Sequence, residues 1–142
     1  MGADAISTGA AVSTSAKTVS EAIVGFLSAL GVRYAFGVSG GAIAAVWSAL
    51  STSNIHVIHC RHETGAAFAA VEAYFATNAP VVVFTTTGPG LMNALTGILA
   101  ARGEGAKIIL LSACTTASNR GTAHHAGHEL DARVEEISVT GV

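Results

Sequence analysis

Residues 80–90 read PVVVFTTTGPG, and they are the strongest indication of how this chain folds. A run of valines of this kind is typical of a parallel strand that is covered by helices on both faces. The glycines and the proline that follow it end the strand and form a turn. Leu91 to Arg102 is predicted as the next helix. The segment therefore predicts a strand, a turn and a helix in succession, which is the repeating unit of α/β folds.

The same alternation of strand and helix runs through most of the chain. Thr18 and Glu21 have the spacing of a capping box, and Gly31 lies where a helix C-terminal cap belongs. Residues 115–127 are loop-like, and residues 129–137 are compatible with a further helix. The pattern predicts a doubly wound, mostly parallel α/β sheet with helices on both faces. The predicted strands are Tyr34–Val38, Ile55–Cys60, Pro80–Thr85 and Lys107–Ala113, and three predicted helices cover 43–50, 63–77 and 91–102.

Length and composition favour a single domain that packs on a partner. The chain has 142 residues, of which 51% are hydrophobic and only 11% are charged. So few polar side chains leave part of the exterior to be covered by another protein surface. Residues 1–16 are rich in alanine, serine and threonine and are expected to form a flexible leader. Residues 17–142 are then expected to form one domain.

Charge and cysteine usage argue against several kinds of protein. A net charge of −2 gives no reason to expect nucleic-acid or membrane binding, and the apolar runs are broken before they could span a membrane. Cys60 and Cys114 form no CxxC pair, so free thiols and a cytoplasmic location are expected. His56, His59 and His62 lie three apart, but a strand alternates its faces. No metal site is therefore predicted within the chain.

Three turns follow predicted strands and should meet at one edge of the sheet, where ligands bind in open α/β folds. They are Ser39-Gly40-Gly41, Arg61-His62-Glu63 and the segment 86–90, TTGPG. Each turn also has an ordinary interpretation. An acidic residue such as Glu63 is favoured at any helix N-terminus, and a GPG sequence can be no more than a tight turn. The turns do not contain a phosphate-binding GxGxxG or GK[ST] pattern.

Taken together, these segments resemble one family, the acetolactate-synthase-like and pyruvate-decarboxylase-like enzymes that depend on thiamine diphosphate. Residues 36–41, FGVSGG, resemble the FGxPGG turn of the synthase-like enzymes, with Ser39 where proline is frequent. Residues 61–70, RHETGAAFAA, resemble RHExGAxxAA, and residues 86–97, TTGPGLMNALTG, resemble TSGPGxxNxxTG. The order and spacing of the three motifs also fit. The resemblance runs from about Thr18 to the C-terminus and implies the pyrimidine-binding (PYR) domain of these enzymes.

The resemblance implies a role for Glu63 and a set of cofactor contacts. In these enzymes a glutamate hydrogen-bonds N1′ of the aminopyrimidine ring and so activates the cofactor. His124 and His125 fall near an adjacent histidine pair of pyruvate-decarboxylase-like enzymes, although two exposed loop histidines are the alternative. Gly121 to Ala123 instead echo a segment of the synthase-like enzymes. The implied cofactor-binding residues are Val38, Ser39, Gly40, Gly41, Glu63, Thr87, Gly88, Pro89 and Asn93.

The implied reaction is decarboxylation or carboligation of a 2-oxo acid, by a lyase or a transferase. In the family, Mg²⁺ and the diphosphate are held by a second domain with a GDG motif, and no GDG occurs in these 142 residues. The implied partner is that diphosphate-binding domain, on the same longer chain or on a separate subunit, in a homodimer or larger assembly. The isolated chain is then expected to be inactive. One alternative is a non-catalytic binding or regulatory module that keeps the fold. Another is a flavodoxin-like nucleotide-binding domain, which explains the sheet but not Arg61-His62-Glu63.

Overall fold

The computed structural model describes residues 18–114 and 137–140. Four helices and five strands alternate along most of this length, joined by short turns, one of which is a 3₁₀ turn at Gly41–Ile43. The helices are α1 (Val19–Ala29), α2 (Ala44–Ser51), α3 (Glu63–Thr77) and α4 (Pro89–Glu104). The strands are β1 (Tyr34–Gly37), β2 (His56–His59), β3 (Val81–Thr85), β4 (Ile108–Ser112) and β5 (Ile137–Thr140).

The strands form one sheet in the order β2-β1-β3-β4-β5. The first four are parallel, and β5 runs antiparallel to β4. Gly37 pairs with His59 on one side and with Phe84 on the other, so β1, β2 and β3 end close together. From β1 the chain passes to β2 at the edge and then returns across the sheet to β3. The order of strands therefore reverses between β1 and β3, and the predicted doubly wound, mostly parallel sheet is confirmed.

The sheet is buried on both faces, and β3 shows why its sequence is a continuous apolar run. Val82 and Phe84 belong to a core on the side of α1 and α2, whereas Val81 and Val83 belong to a second core beside α3 and α4. All four side chains are fully buried. Successive residues of a strand point to opposite faces, so a strand covered on both sides needs apolar residues at every position.

Helices α3 and α4 lie against each other because small residues line their contact. A Cβ atom added at Gly97 would lie 2.4 Å from the Cβ of Ala67 and 3.1 Å from the backbone carbon of that residue. Only glycine fits this approach, because backbone atoms cannot move aside as a flexible side chain can. The alanine-rich sequence of α3 therefore brings the N-terminal turns of α3 and α4 together.

The predicted helix ends are largely confirmed. Glu21 N donates to Thr18 Oγ1 at 3.2 Å, and Thr18 N donates to Glu21 Oε2 at 3.0 Å, which is the reciprocal pair of a capping box. Gly31 has a φ of 82° just after α1. The prediction that α4 begins at Leu91 is wrong, because the helix begins at Pro89. Proline suits the first turn of a helix, since its missing N–H would have no partner there.

Some predictions fall outside the described residues. These are the leader at 1–16, the loop at 115–127 with His124 and His125, and most of the helix proposed for 129–137. Of that last range the structure describes only Ile137, which begins strand β5 rather than ending a helix. Within 18–114 and 137–140, none of the helices is long and apolar enough to cross a membrane.

Candidate functional site

The candidate site lies at the carboxyl ends of β1 and β3, where the strand order reverses. This is the position at which open α/β sheets bind ligands, because the two turns leave the sheet toward opposite faces and open a crevice between them. Here the turns are Val38–Gly41, which leads into α2, and Thr86–Gly88, which leads into α4. The N-terminus of α3 follows the neighbouring strand β2 and adds Glu63.

Glu63 is the first residue of α3 and is only 8% exposed. Its Oε2 atom accepts a hydrogen bond of 3.2 Å from Nδ2 of Asn93, which lies in the second turn of α4. Within the described part of the chain, the Asn93 amide is the only hydrogen-bond donor to this carboxyl group. A nearly buried carboxyl group is thus held by one oxygen, while Oε1 can still accept a donor.

Gly90 forms a wall beside this carboxyl group. A Cβ atom added at Gly90 would lie 2.5 Å from Thr86 Oγ1 and 3.0 Å from Glu63 Oε1. Both distances are shorter than ordinary contacts with a side-chain carbon, so the site excludes a side chain at this position. The backbone of α4 thereby comes close to the carboxyl group, and Thr86 and Glu63 occupy the space where a side chain at position 90 would begin.

The turn before α4 needs its particular sequence. Gly88 is the N-cap residue with a φ of 57° and a ψ of −110°, a conformation that residues with a side chain rarely adopt. Pro89 follows in the first turn of the helix, and Gly90 N donates weakly to the carbonyl of Thr87 at 3.4 Å. Gly88 and Pro89 are exposed, so the outer part of this turn faces the crevice or the solvent.

The turns after β1 and β3 touch each other. A Cβ atom added at Gly40 would lie 2.4 Å from the Cγ2 methyl group of Thr86. Thr86 therefore lies between Gly40 on one side and Gly90 on the other. Val38 and Ser39 precede this contact and are half-buried, and Gly41 follows it at the start of the 3₁₀ turn.

A second contact holds the first turn of α3 against the second turn of α4. Thr64 Oγ1 donates to the carbonyl oxygen of Asn93 at 2.6 Å. Thr64 N in turn donates to Nδ1 of His62, the N-cap residue of α3, at 3.2 Å. Asn93 is thus joined to α3 by its side chain, through Glu63, and by its backbone, through Thr64. This double attachment fixes the direction from which the Asn93 amide approaches the carboxyl group.

The structure brings most of the residues singled out in the sequence to one place. Glu63 and Asn93 are in contact, and the glycine turns that contain the other candidates pack around Thr86. His124 and His125 lie outside the described residues. Among the residues that are described, no group of three histidine, cysteine, aspartate or glutamate side chains is placed to hold a metal ion.

Three contributors to the geometry were not identified from the sequence: Thr86 as the central contact, Thr64 as the clamp on α4, and His59. The Nε2 atom of His59 lies 2.7 Å from Oγ of Ser39. Residues 20 positions apart carry no local signal of contact. The parallel register of β1 with β2 would have placed His59 beside the turn after β1, but neighbouring strands cannot be assigned from one sequence alone.

Comparison with known proteins is consistent with this site. The family described as "Thiamine pyrophosphate enzyme, N-terminal TPP binding domain" matches residues 17–135. Acetolactate synthase, catabolic, of Raoultella terrigena is 35% identical over 105 residues, which are 74% of this chain and 19% of that protein. Acetolactate synthase of Bacillus subtilis is 40% identical over 92 residues, or 65% of this chain and 16% of that protein.

A third relative, 2-hydroxyacyl-CoA lyase 2 of Xenopus laevis, is 35% identical over 101 residues, or 71% of this chain and 16% of that protein. The chain thus spans less than a fifth of the length of these relatives. The match nevertheless covers most of this chain. It includes the three turns at 39–41, 61–63 and 86–90. The chain belongs to the thiamine pyrophosphate enzymes, and residues 17–135 correspond to their N-terminal TPP-binding domain.

Proposed function

We propose that this chain forms the pyrimidine half of a thiamine diphosphate site and that Glu63 is the residue that activates the cofactor. The observation that carries the proposal is the state of the Glu63 carboxyl group. It is nearly buried, its Oε2 atom is engaged by Asn93, and its Oε1 atom lies beside the wall formed by Gly90. A carboxyl group in this state is available to one further donor or acceptor, which a bound ring nitrogen would supply.

The glycines that border the crevice support a flat ring as its ligand. Side chains at Gly40 and Gly90 would collide with Thr86, so backbone rather than side chains borders the site on two sides. Glycine allows a backbone to approach a planar ligand closely. We assign the cofactor contacts to the turn Val38, Ser39, Gly40 and Gly41, to the turn Thr87, Gly88 and Pro89, and to Asn93 together with Glu63.

When bound, thiamine diphosphate supplies the electron sink that cleavage of a 2-oxo acid requires. Glu63 would hold a proton between Oε1 and N1′ of the aminopyrimidine. Asn93 would keep the carboxyl group in the rotamer that makes this contact, because its hydrogen bond engages Oε2 and leaves Oε1 beside Gly90 for the ring nitrogen. The glycine wall would keep that line of approach open.

The proposed reaction is decarboxylation or carboligation of a 2-oxo acid. The names of the relatives, acetolactate synthase and 2-hydroxyacyl-CoA lyase, support carbon–carbon bond formation or cleavage as the reaction class. The test is a screen of the full-length protein with several 2-oxo acids, Mg²⁺ and thiamine diphosphate, in which CO₂ release and carboligated products are measured separately. Turnover of none of these acids would favour a non-catalytic module that keeps the fold.

His124 and His125 provide a test of the decarboxylase-like assignment. If the pair orients or protonates the substrate, His124→Ala and His125→Ala should lower kcat and leave the affinity for thiamine diphosphate unchanged. If both variants turn over at the rate of the unsubstituted protein, the histidines have no catalytic role and the synthase-like assignment is favoured.

A partner is proposed to cover the outer face of α3 and α4. Phe68 and Phe75 on α3 are 43% and 51% exposed, and Met92 and Leu99 on α4 are 64% and 65% exposed. Residues seven apart lie on the same side of a helix, so each helix presents an apolar stripe. We propose that such surfaces are covered in a cytoplasmic homodimer or larger assembly. The covering surfaces would belong to a diphosphate-binding domain, which would also hold Mg²⁺, and to a second copy of the protein.

The partner proposal has a thermodynamic consequence for the 142-residue chain studied alone. If the diphosphate is held by the proposed partner domain, the 142-residue chain alone binds only the aminopyrimidine ring, and the expected affinity is roughly millimolar once the cost of lost freedom is included. Titration calorimetry with thiamine diphosphate and Mg²⁺, combined with light scattering, measures both affinity and assembly. Micromolar binding by a monomeric chain would contradict the proposal.

A further inference from the structure

His59 makes a specific contact with the turn after β1. Its Nε2 atom lies 2.7 Å from Oγ of Ser39 and accepts a hydrogen bond of 3.1 Å from the backbone N–H of the same residue. The contact follows from the strand register. Gly37 pairs with His59, and Ser39 lies two residues beyond Gly37. A long side chain at the end of β2 therefore reaches a short one just past the end of β1.

The hydrogen bonding assigns a role to each atom. Because the backbone N–H of Ser39 donates to Nε2, that nitrogen is the acceptor and the proton of the neutral ring is on Nδ1. The Ser39 hydroxyl group donates to the same acceptor. Within the described residues nothing hydrogen-bonds Nδ1, whereas a histidine that serves as the base for a serine nucleophile is normally oriented through that atom. The contact therefore fits a structural anchor better than a nucleophile with its base.

The anchored turn is the one that borders the candidate site. Ser39 leads directly into Gly40, and Gly40 lies against the methyl group of Thr86. The hydroxyl group of Thr86 faces Gly90, which borders Glu63 Oε1. A displacement at Ser39 would thus be transmitted through two close contacts to the space beside the carboxyl group. Both contacts are made by the one Thr86 side chain, so this side chain couples the two turns.

We propose that His59 is a positioning residue that holds the 39–41 turn against Thr86 and so maintains the width of the cofactor crevice. The part of this proposal that concerns the cofactor rests on the proposed function. The anchoring of the turn does not, because it concerns contacts within the chain. The two parts therefore need separate measurements.

Four variants of the full-length protein test the anchor. His59→Leu removes the acceptor and retains much of the side-chain volume, whereas His59→Gln places an amide oxygen within reach of Ser39. Ser39→Ala removes the hydroxyl donor and keeps the backbone N–H. The matched control is His56→Leu. His56 is an exposed histidine of the same strand, and together with His59 it lines an open groove of about 380 Å³. Unlike His59, it makes no hydrogen bond to the turn.

The first readout is hydrogen–deuterium exchange of the peptide that covers residues 38–43, measured by mass spectrometry without cofactor. His59→Leu should accelerate exchange in this peptide by roughly two- to tenfold, the range expected when one hydrogen bond is lost. Ser39→Ala should show a smaller effect, His59→Gln should exchange at nearly the original rate, and His56→Leu should not differ from the unsubstituted protein. Unchanged exchange in His59→Leu would overturn the anchor.

The second readout is the dissociation constant for thiamine diphosphate in the presence of Mg²⁺. His59→Leu should weaken binding by roughly two- to tenfold, and His59→Gln should restore most of it. If exchange accelerates while affinity stays constant, the turn does not shape the crevice and the positioning role is wrong. If the unsubstituted protein binds no thiamine diphosphate, the proposed function fails instead, and the exchange data still decide whether His59 anchors the turn.

Discussion

Asn93 donates from Nδ2 to Oε2 of Glu63 over 3.2 Å, across 30 positions of sequence. The contact depends on close packing of α3 on α4, and the Thr64 hydroxyl group strengthens it by donating to the Asn93 carbonyl oxygen at 2.6 Å. A carboxyl group at a helix N-terminus can rotate toward the exposed backbone N–H groups of its own helix. The Asn93 amide opposes this rotation, so it fixes which oxygen of Glu63 is presented to the crevice.

Asn93→Ala should therefore weaken the site without unfolding the protein. The variant loses one hydrogen bond to a charged group, a contribution of about 1.5–3 kcal/mol at most, and the half-buried position can admit water in its place. We expect kcat to fall by about tenfold or more, with a smaller change in the melting temperature. Thr96→Ala, at an exposed position one turn further along α4, is the control and should change neither quantity. Equal loss in both variants would point to a general disturbance of α4.

Gly90→Ala tests the glycine wall. Its methyl group would be forced against Thr86 Oγ1 and Glu63 Oε1, so the carboxyl group or the turn must shift. Overpacking of this kind costs about 1–3 kcal/mol, which chemical denaturation can measure, and cofactor affinity should fall as well. Gly25→Ala is the control, since an added Cβ there has no neighbour within 4 Å and the position is an exposed one in α1. That variant should be more stable by about 0.5–1 kcal/mol.

Gly97→Ala tests whether the packing of α3 on α4 supports both the fold and the site. The added methyl group would meet Ala67 Cβ at 2.4 Å and backbone atoms at 3.1 Å, which separates the helices. A loss of about 1–3 kcal/mol in the free energy of unfolding is expected, together with a lower kcat, because Asn93 moves away from Glu63. Gly103→Ala lies in the last turn of the same helix with open space around it and should retain full activity. A stable, fully active Gly97→Ala protein would show that the close approach is not required.

Cys60 is a half-buried cysteine thiol with a perturbed environment. Burial raises the pKa of the Cys60 thiol, and its hydrogen bonding with the backbone of Gly37 offsets part of that increase. Because the thiolate is the reactive form, Cys60 should be alkylated more slowly in the folded protein than in denaturant. Its rate in the folded protein should keep rising at pH values where the rate in denaturant has levelled off. Peptide mapping after timed alkylation measures both rates as a function of pH. If the rate levels off at a lower pH in the folded protein than in denaturant, the pKa of Cys60 is not raised.

The elements of the fold that local patterns specify could be predicted from the sequence. The valine run of β3 indicates a strand covered on both faces, the Thr18 and Glu21 pair marks the start of α1, and Gly31 marks its end. The sequence pattern misplaces the start of α4, because Gly88-Pro89-Gly90 resembles a complete turn. Gly88 alone supplies the unusual conformation, and Pro89 already belongs to the helix.

Relations between distant segments could not be predicted in the same way. The antiparallel strand β5 depends on which strand lies at the edge of the sheet, and a single sequence does not report neighbour order. The placement of Thr86 between Gly40 and Gly90, and the reach of His59 to Ser39, follow from strand register. By contrast, Glu63 and Asn93 were identified as candidates because their motifs resemble those of a known family, although their contact was not predicted.

The most direct test of Glu63 follows exchange of the C2 proton of bound thiamine diphosphate for deuterium in the full-length protein with Mg²⁺. Acid quenching followed by proton NMR measures this rate without any 2-oxo acid. Glu63→Gln keeps an oxygen that can accept from Asn93, so the fold should persist, but an amide cannot share a proton with N1′. We predict that exchange slows by roughly 10² to 10⁴, the usual contribution of a positioned acid–base group. Glu72→Gln, an exposed glutamate of α3, should exchange at the original rate, and near-original exchange in Glu63→Gln would contradict the proposed role of Glu63.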